Sequence, residues 1–198
     1  MHRPALRIVL AAVAVALVGC HHADSMQLRL LWMPTDNPRD LPSGAIEAFR
    51  GQTVAVSVTD TRQNSGPRVG QNNEENTPRP VTTTDNVPAF VSQSFASVLQ
   101  SNGVTVVPTG ATRVLRLELG ELFVNEGNLY QGSVTLRVSL ENGSGQVLWK
   151  GAMRGSSHRF GRSFTEENYE QVISDSTLDA LRALLGNPDF QAAVRSNA

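Results

Sequence analysis

The chain has 198 residues, with 17 Lys and Arg against 18 Asp and Glu and a formal charge of −1. That length suits one domain with a full core, and so few cations exclude the strong phosphate-neutralising surface that nucleic-acid binding needs. Cys20 is the only cysteine, which excludes an intrachain disulfide and a cysteine-ligated metal centre.

Arg3 and Arg7 open the chain as a positive segment, Ile8 to Val18 follow as an apolar run of 11 residues, and the run closes on Leu17, Val18, Gly19 and Cys20. This order is that of a bacterial lipoprotein signal ending in a lipobox. Small Gly19 suits the cleavage position. Cys20 supplies the thiolate that receives a diacylglycerol and becomes the first residue after cleavage, its amine open to a further acyl chain such as palmitate. A membrane-spanning helix needs about 18 or more consecutive apolar residues, more than this run contains. Removal of residues 1–19 is expected to leave 179 residues, with 15 basic against 18 acidic side chains and a formal charge of −3. His21, rather than the Asp that retains lipoproteins at the inner membrane, follows Cys20. The anchored protein is therefore expected at the outer membrane, facing the periplasm.

Residues 20–51 contain Pro34, Pro38 and Pro42 among polar residues and read as a lipidated tether. Within it Leu28, Leu30 and Trp32 alternate as a possible edge strand ended by Pro34. A single domain is expected over 52–198. Its first strand is Thr53 to Val58, with Val54, Val56 and Val58 on one face. From about 60 to 87 the only apolar side chains besides prolines are Val69, Val81 and Val87, so a long polar loop is expected there, either a solvated flap or a binding loop. Asp85 or Asn86 can cap a helix opening at Pro88, with a stripe of Phe90, Val91, Phe95, Val98 and Leu99 and a stop at Gly103. Val104 to Val107 reads as a short strand.

In the strand Arg113 to Val124, Leu115, Leu117 and Leu119 share one parity and Leu122 and Val124 the other. A bulge at Gly120 would bring both sets to one face. Ser133 to Leu140 alternates with Arg137 outward and turns through Asn142–Gly145 into Val147, Trp149 and Met153, a hairpin. Ser163 and Glu166 have capping-box spacing ahead of a long helix with Tyr169, Val172, Ile173, Ala180, Leu181, Leu184 and Leu185 inward. Gly186, Asn187 and Pro188 end it, and Pro188 can open a short last helix. The expected fold is α+β: a mainly antiparallel sheet with two principal helices packed on one face and a short C-terminal helix.

The chemistry-bearing residues form no catalytic pattern. His21 and His22, with Asp24, stand beside the anchor, and His158, near Ser156, Ser157 and Arg159, is placed in the connection before the long helix without an orienting third group or an oxyanion elbow. Glu166, Glu167 and Glu170 suit the positive end of a helix dipole. Asp175, Asp179 and Arg182 read as a solvated helix face, Arg182 offsetting Asp179. No glycine-rich phosphate loop with a following Lys occurs. No catalytic residue, cofactor or metal is expected.

The lipobox ending in Cys20, the strand Val54 to Val58 leading to Asp60 and Arg62, the helix with Phe90, Val91, Phe95 and Leu99, the segment Leu115 to Leu140, and the helix from Glu166 to Leu185 together resemble the YajG-type family of bacterial lipoproteins. The tract Asn64 to Thr84 is longer than the family pattern. The resemblance implies location and fold, and it carries no site residues. The expected function is a non-enzymatic interaction or accessory module of the envelope, held by lipid at Cys20 and open to an envelope protein partner. The alternatives are an auxiliary lipoprotein of a lipid-transport or cell-wall synthesis machine and, more distantly, a periplasmic hydrolase.

Overall fold

β1 (Met26–Gln27), a 3-10 turn at Glu47–Phe49, β2 (Thr53–Asp60), β3 (Arg68–Asn72), β4 (Arg79–Thr82), α1 (Val87–Ser101), β5 (Thr105–Val106), β6 (Arg113–Glu126), β7 (Leu129–Asn142), β8 (Val147–Phe160), α2 (Glu166–Leu185) and α3 (Pro188–Arg195) follow one another in the computed structural model, which describes residues 25–63 and 66–196. The strands form one eight-stranded sheet. Its spine is the antiparallel meander β6–β7–β8, each strand 14 residues long. The other edge of β6 is shared end to end by two shorter strands, both parallel to it. Val54–Asp60 of β2 lie along Arg113–Leu119, and Gly70–Asn72 of β3 lie along Val124–Glu126. β5 extends the sheet beyond β2, and β4 then β1 extend it beyond β3.

The β6–β7 register shifts between Leu119 and Glu121, as the parity switch in the sequence requires. Leu115, Leu117, Leu119, Leu122 and Val124 consequently all reach one face and are buried there. Both principal helices cover that face, α1 over β2 and α2 over β7 and β8. Asn86 caps α1, its Oδ1 accepting the Ala89 N–H at 3.0 Å, and Asn187 caps α3 in the same way through Phe190 N–H at 3.0 Å. α2 lies close to the sheet because Gly132 and Gly155 sit beneath it. A Cβ on Gly155 would stand 2.9 Å from Ala180 Cα and closer still to the Ser176 carbonyl oxygen and the Ala180 nitrogen.

Five expectations are corrected. Residues 25–51 are not a free tether: Leu28, Ala45, Ala48 and Phe49 are buried in the core. Met33 N–H donates to Ser174 Oγ at 2.9 Å, Thr35 N–H and Oγ1 donate to Asp175 at 2.7 and 2.6 Å, and Arg182 pairs with Asp36 at 2.7 Å. The α2 face expected to be solvated thus binds this arm. The arm's strand is Met26–Gln27 rather than Leu28 to Trp32, and Leu28 continues its pairing with a 2.7 Å N–H bond to the Thr82 carbonyl. The stretch 60–87 is not one long loop but holds the β3–β4 hairpin, whose Val69 and Val81 are fully buried. Its strands are short and polar on one side, which left too few apolar residues to reveal the alternation. Finally, α2 starts from Thr165, with no capping box. Ser163 Oγ accepts instead from Asn168 Nδ2 at 2.9 Å.

Candidate binding depression on the open face of the sheet

The face of the sheet away from the helices follows from the pleat, since residues alternating with the buried set point the other way. Arg116, Glu118, Glu121, Arg137, Lys150, Arg154 and His158 stand on it. A depression of about 610 Å³ opens where β2 has left β6 and β3 has not yet joined it. Gly120 to Phe123 of β6 form its floor, Arg62, Gln63, Arg68 and Gln71 one wall, and Thr135, Arg137 and Arg154 the other. The bulge at Gly120 and the handover between two edge strands create the recess.

Its four arginines are held differently. Arg62 is 8% exposed. It clasps the Asp60 carboxylate through Nε at 2.9 Å and Nη2 at 2.8 Å and reaches the Arg68 carbonyl at 3.5 Å, joining the end of β2 to the start of β3. Hydrogen bonding from Arg62 holds the Asp60 carboxyl below its ordinary value, outweighing the opposing effect of burial. Arg68 is oriented by the Gln71 side-chain oxygen and by the Phe123 ring, whose centre is 5.9 Å from its guanidinium carbon. Arg137 reaches Glu118 at 3.6 Å, a loose and exposed pair. Glu121, the one acid in the lining, accepts from Thr135 Oγ1 at 3.3 Å. Arg68 and Arg154 form no ion pair among the described residues.

The ladder sets Arg154 opposite Thr135 and Arg137 opposite Ala152. Arg137 and Arg154 are therefore diagonal neighbours, their backbone positions about 7–8 Å apart. Two long cationic side chains on neighbouring positions repel, and an anion between them relieves the repulsion. Guanidinium groups also present paired donors that fit phosphate or carboxylate oxygens. The recess is suited to holding an anionic group.

A second polar cluster is structural. Glu126 is fully buried and accepts from Tyr169 Oη at 2.8 Å and from Phe164 N–H at 2.9 Å. Burial, reinforced by the Glu126 hydrogen bond, pushes the Tyr169 phenol far above its ordinary value. Tyr130 packs edge-on to Tyr169 at 5.2 Å, and the Arg79 guanidinium lies 4.3 Å over the Phe164 ring. Arg79 also donates to Asn72 Oδ1 at 3.2 Å. The cluster ties the end of β6 to the β8–α2 connection, where Phe164 has φ 43°. Its one sequence signal was an acid in phase with Leu122 and Val124.

Gly19, Cys20, His21, His22 and Asp24 lie outside the described residues. His158 is in β8 rather than in the following connection, exposed and opposite Gln131, because β8 continues to Phe160. Ser156 N–H donates to Asp179 at 2.9 Å, so Asp179 serves the strand edge and Arg182 serves the N-terminal arm. Glu170 is buried, and burial first, then Glu166 and Glu167, raises its carboxyl. Among the described residues no group of three or more His, Asp or Glu could hold a metal, and no helix is long and apolar enough to cross a membrane.

Residues 42–195 match the model of a protein family described as uncharacterized lipoprotein. The chain belongs to this family. That makes it a lipoprotein of the bacterial envelope, in line with the resemblance to YajG-type proteins. No curated protein matches the sequence. Among solved structures, protein XCC0632 from Xanthomonas campestris has the same fold, with TM-score 0.53 at 12% identity over 82% of this chain and 90% of its own. A minor lipoprotein from Acinetobacter baumannii matches with TM-score 0.40 at 14% identity, over 67% of this chain and 90% of its own. PelC from Paraburkholderia phytofirmans, a dodecamer, matches with TM-score 0.38 at 20% identity, over 65% and 86%.

Proposed function

We infer that this lipoprotein is held by lipid on Cys20 at the outer membrane, faces the periplasm, and works as an accessory module by binding rather than by catalysis. The observation that carries the reading is the recess between β2 and β3, where Arg68, Arg137 and Arg154 converge on one uncovered sheet face. Three guanidinium groups at a recess recognise anions, and what they offer is charge and paired hydrogen bonds rather than proton transfer, because arginine stays protonated at any physiological pH. Titration with glycerol 3-phosphate, followed by NMR of arginine side-chain Nε–H signals, tests it. Shifts at Arg68, Arg137 and Arg154 are expected. Shifts confined to arginines outside the recess, such as Arg39 and Arg195, would contradict the reading.

A further inference from the structure

β1 runs parallel to β4, with Met26 opposite Val81, while β4 is antiparallel to β3 and β3 is parallel to β6. β1 therefore begins toward the end of the sheet where β6 and β8 finish, at Glu126 and Phe160. Only five residues of sequence separate Cys20 from Met26, and those six Cα-to-Cα steps reach at most about 20 Å when fully extended. A lipid on Cys20 would keep Met26, on the β1 edge of this end, within about 20 Å of the bilayer surface, and β8 lies five strand spacings, about 24 Å, across the same sheet from it.

The open face has two properties suited to that position. Phe160, at the end of β8, is 84% exposed and falls in the outward alternation with Arg154 and His158, beside its ladder partner Leu129. An aromatic ring left so open to water gains by entering a headgroup layer. The face also carries Arg68, Arg137, Lys150 and Arg154 against Glu118 and Glu121, on a chain whose formal charge is −1. Glu166 and Glu167, at the same end, belong to the helix layer on the opposite side.

We propose that the open face of the sheet lies against the membrane that holds the Cys20 lipid, with Phe160 in the headgroup layer and Arg68, Arg137 and Arg154 binding the phosphodiester groups of anionic phospholipids. This rests on the anchored, anion-binding reading above and supplies the ligand. The lipid tail fixes the protein to the bilayer, and the arginines and Phe160 fix its orientation.

The test uses the chain from residue 20 onward carrying Cys20→Ser, and so without lipid. It is sedimented with vesicles of phosphatidylcholine alone or with about one third phosphatidylglycerol. Binding to the phosphatidylglycerol vesicles is expected, with release at about 1 M salt, where the screening length is about 3 Å. Each arginine near an anionic surface is worth about fivefold, so Arg68→Gln/Arg137→Gln/Arg154→Gln together should weaken binding about a hundredfold. Circular dichroism establishes that this variant is folded, and Arg137→Gln/Arg154→Gln, with about a 25-fold loss expected, serves if it is not. Phe160→Trp should show a blue-shifted emission on vesicle addition. Equal binding by the variants and the parent chain, equal binding to both vesicle types, or no vesicle binding would overturn the proposal. Saturation of the recess by inorganic phosphate without vesicle binding would assign it to a soluble anion, also against the membrane. Acylation of Cys20 plays no part in this assay, so its failure is distinct from failure of the anchor.

Discussion

Gly155→Ala is the substitution for which the fold makes the sharpest demand. The added Cβ meets the backbone of α2, at 2.9 Å from Ala180 Cα and nearer to the Ser176 carbonyl and Ala180 nitrogen. Backbone cannot rotate aside, so α2 has to retreat by roughly 1.5 Å before the contact becomes an ordinary one. A gap of that size forfeits more than half of each dispersion contact. It would open along Val172, Ile173, Leu181 and Leu184, all buried under the helix. Overpacking of this kind costs about 1–3 kcal/mol, and rigid backbone on both sides puts this case at the upper end. The smaller entropy loss of Ala in a strand returns about 0.5–1 kcal/mol, leaving about 2 kcal/mol net. For a domain of this size that lowers Tm by roughly 4–8 °C. Thermal unfolding followed by circular dichroism reads it, with Gly120→Ala as the control, since a Cβ there meets only the Thr135 carbonyl at an ordinary 3.7 Å. An unchanged Tm for Gly155→Ala, or an equal fall in both variants, would refute the close approach of α2 to β8.

Glu170 has a folded-state pKa raised by burial, so its charge opposes folding above that value, and the penalty disappears below the unfolded value of about 4.3. Glu170→Gln should raise stability to urea at neutral pH, with the gain vanishing in acid. Asp60 has a lowered folded-state pKa, so its contribution is complete above about 3.9 and is lost as pH falls through the folded value. Asp60→Asn should lower stability at neutral pH and flatten the acid limb of the pH–stability curve. Cys20→Ser should abolish incorporation of a fatty-acid probe and leave the precursor uncleaved, as gel electrophoresis of labelled envelopes would show. Undiminished label would remove the anchor.

The elements legible in the sequence were those whose apolar period is local. The Phe90 to Leu99 stripe fixed α1, the alternation from Val134 to Leu140 and the Asn142–Gly145 turn fixed the β7–β8 hairpin, and the parity change around Gly120 located the bulge. The fold class followed. The β3–β4 hairpin was illegible because Val69 and Val81 are its only apolar inward residues, and its stability comes from pairing with β6, about fifty residues away in sequence. The N-terminal arm was hidden for the same reason. Its backbone is satisfied by Ser174 and Asp175, side chains that look solvated when α2 is read alone. The recess was the least visible feature. Its arginines come from 62 to 154 along the chain, and only the sharing of one β6 edge by β2 and β3 brings them together. His158, the residue that composition made noticeable, is an outward side chain on β8.

Complementation of an envelope defect tests most directly whether the open face of the sheet carries the function through its arginines. In a strain lacking the gene, sensitivity to detergent or antibiotic is measured after restoring the wild-type chain, Arg68→Gln/Arg137→Gln/Arg154→Gln, or His158→Ala, each at equal protein level. The triple variant is expected to fail to restore the barrier, and His158→Ala to restore it. Full restoration by the triple variant, with loss in His158→Ala, would contradict that expectation and move the functional site to His158.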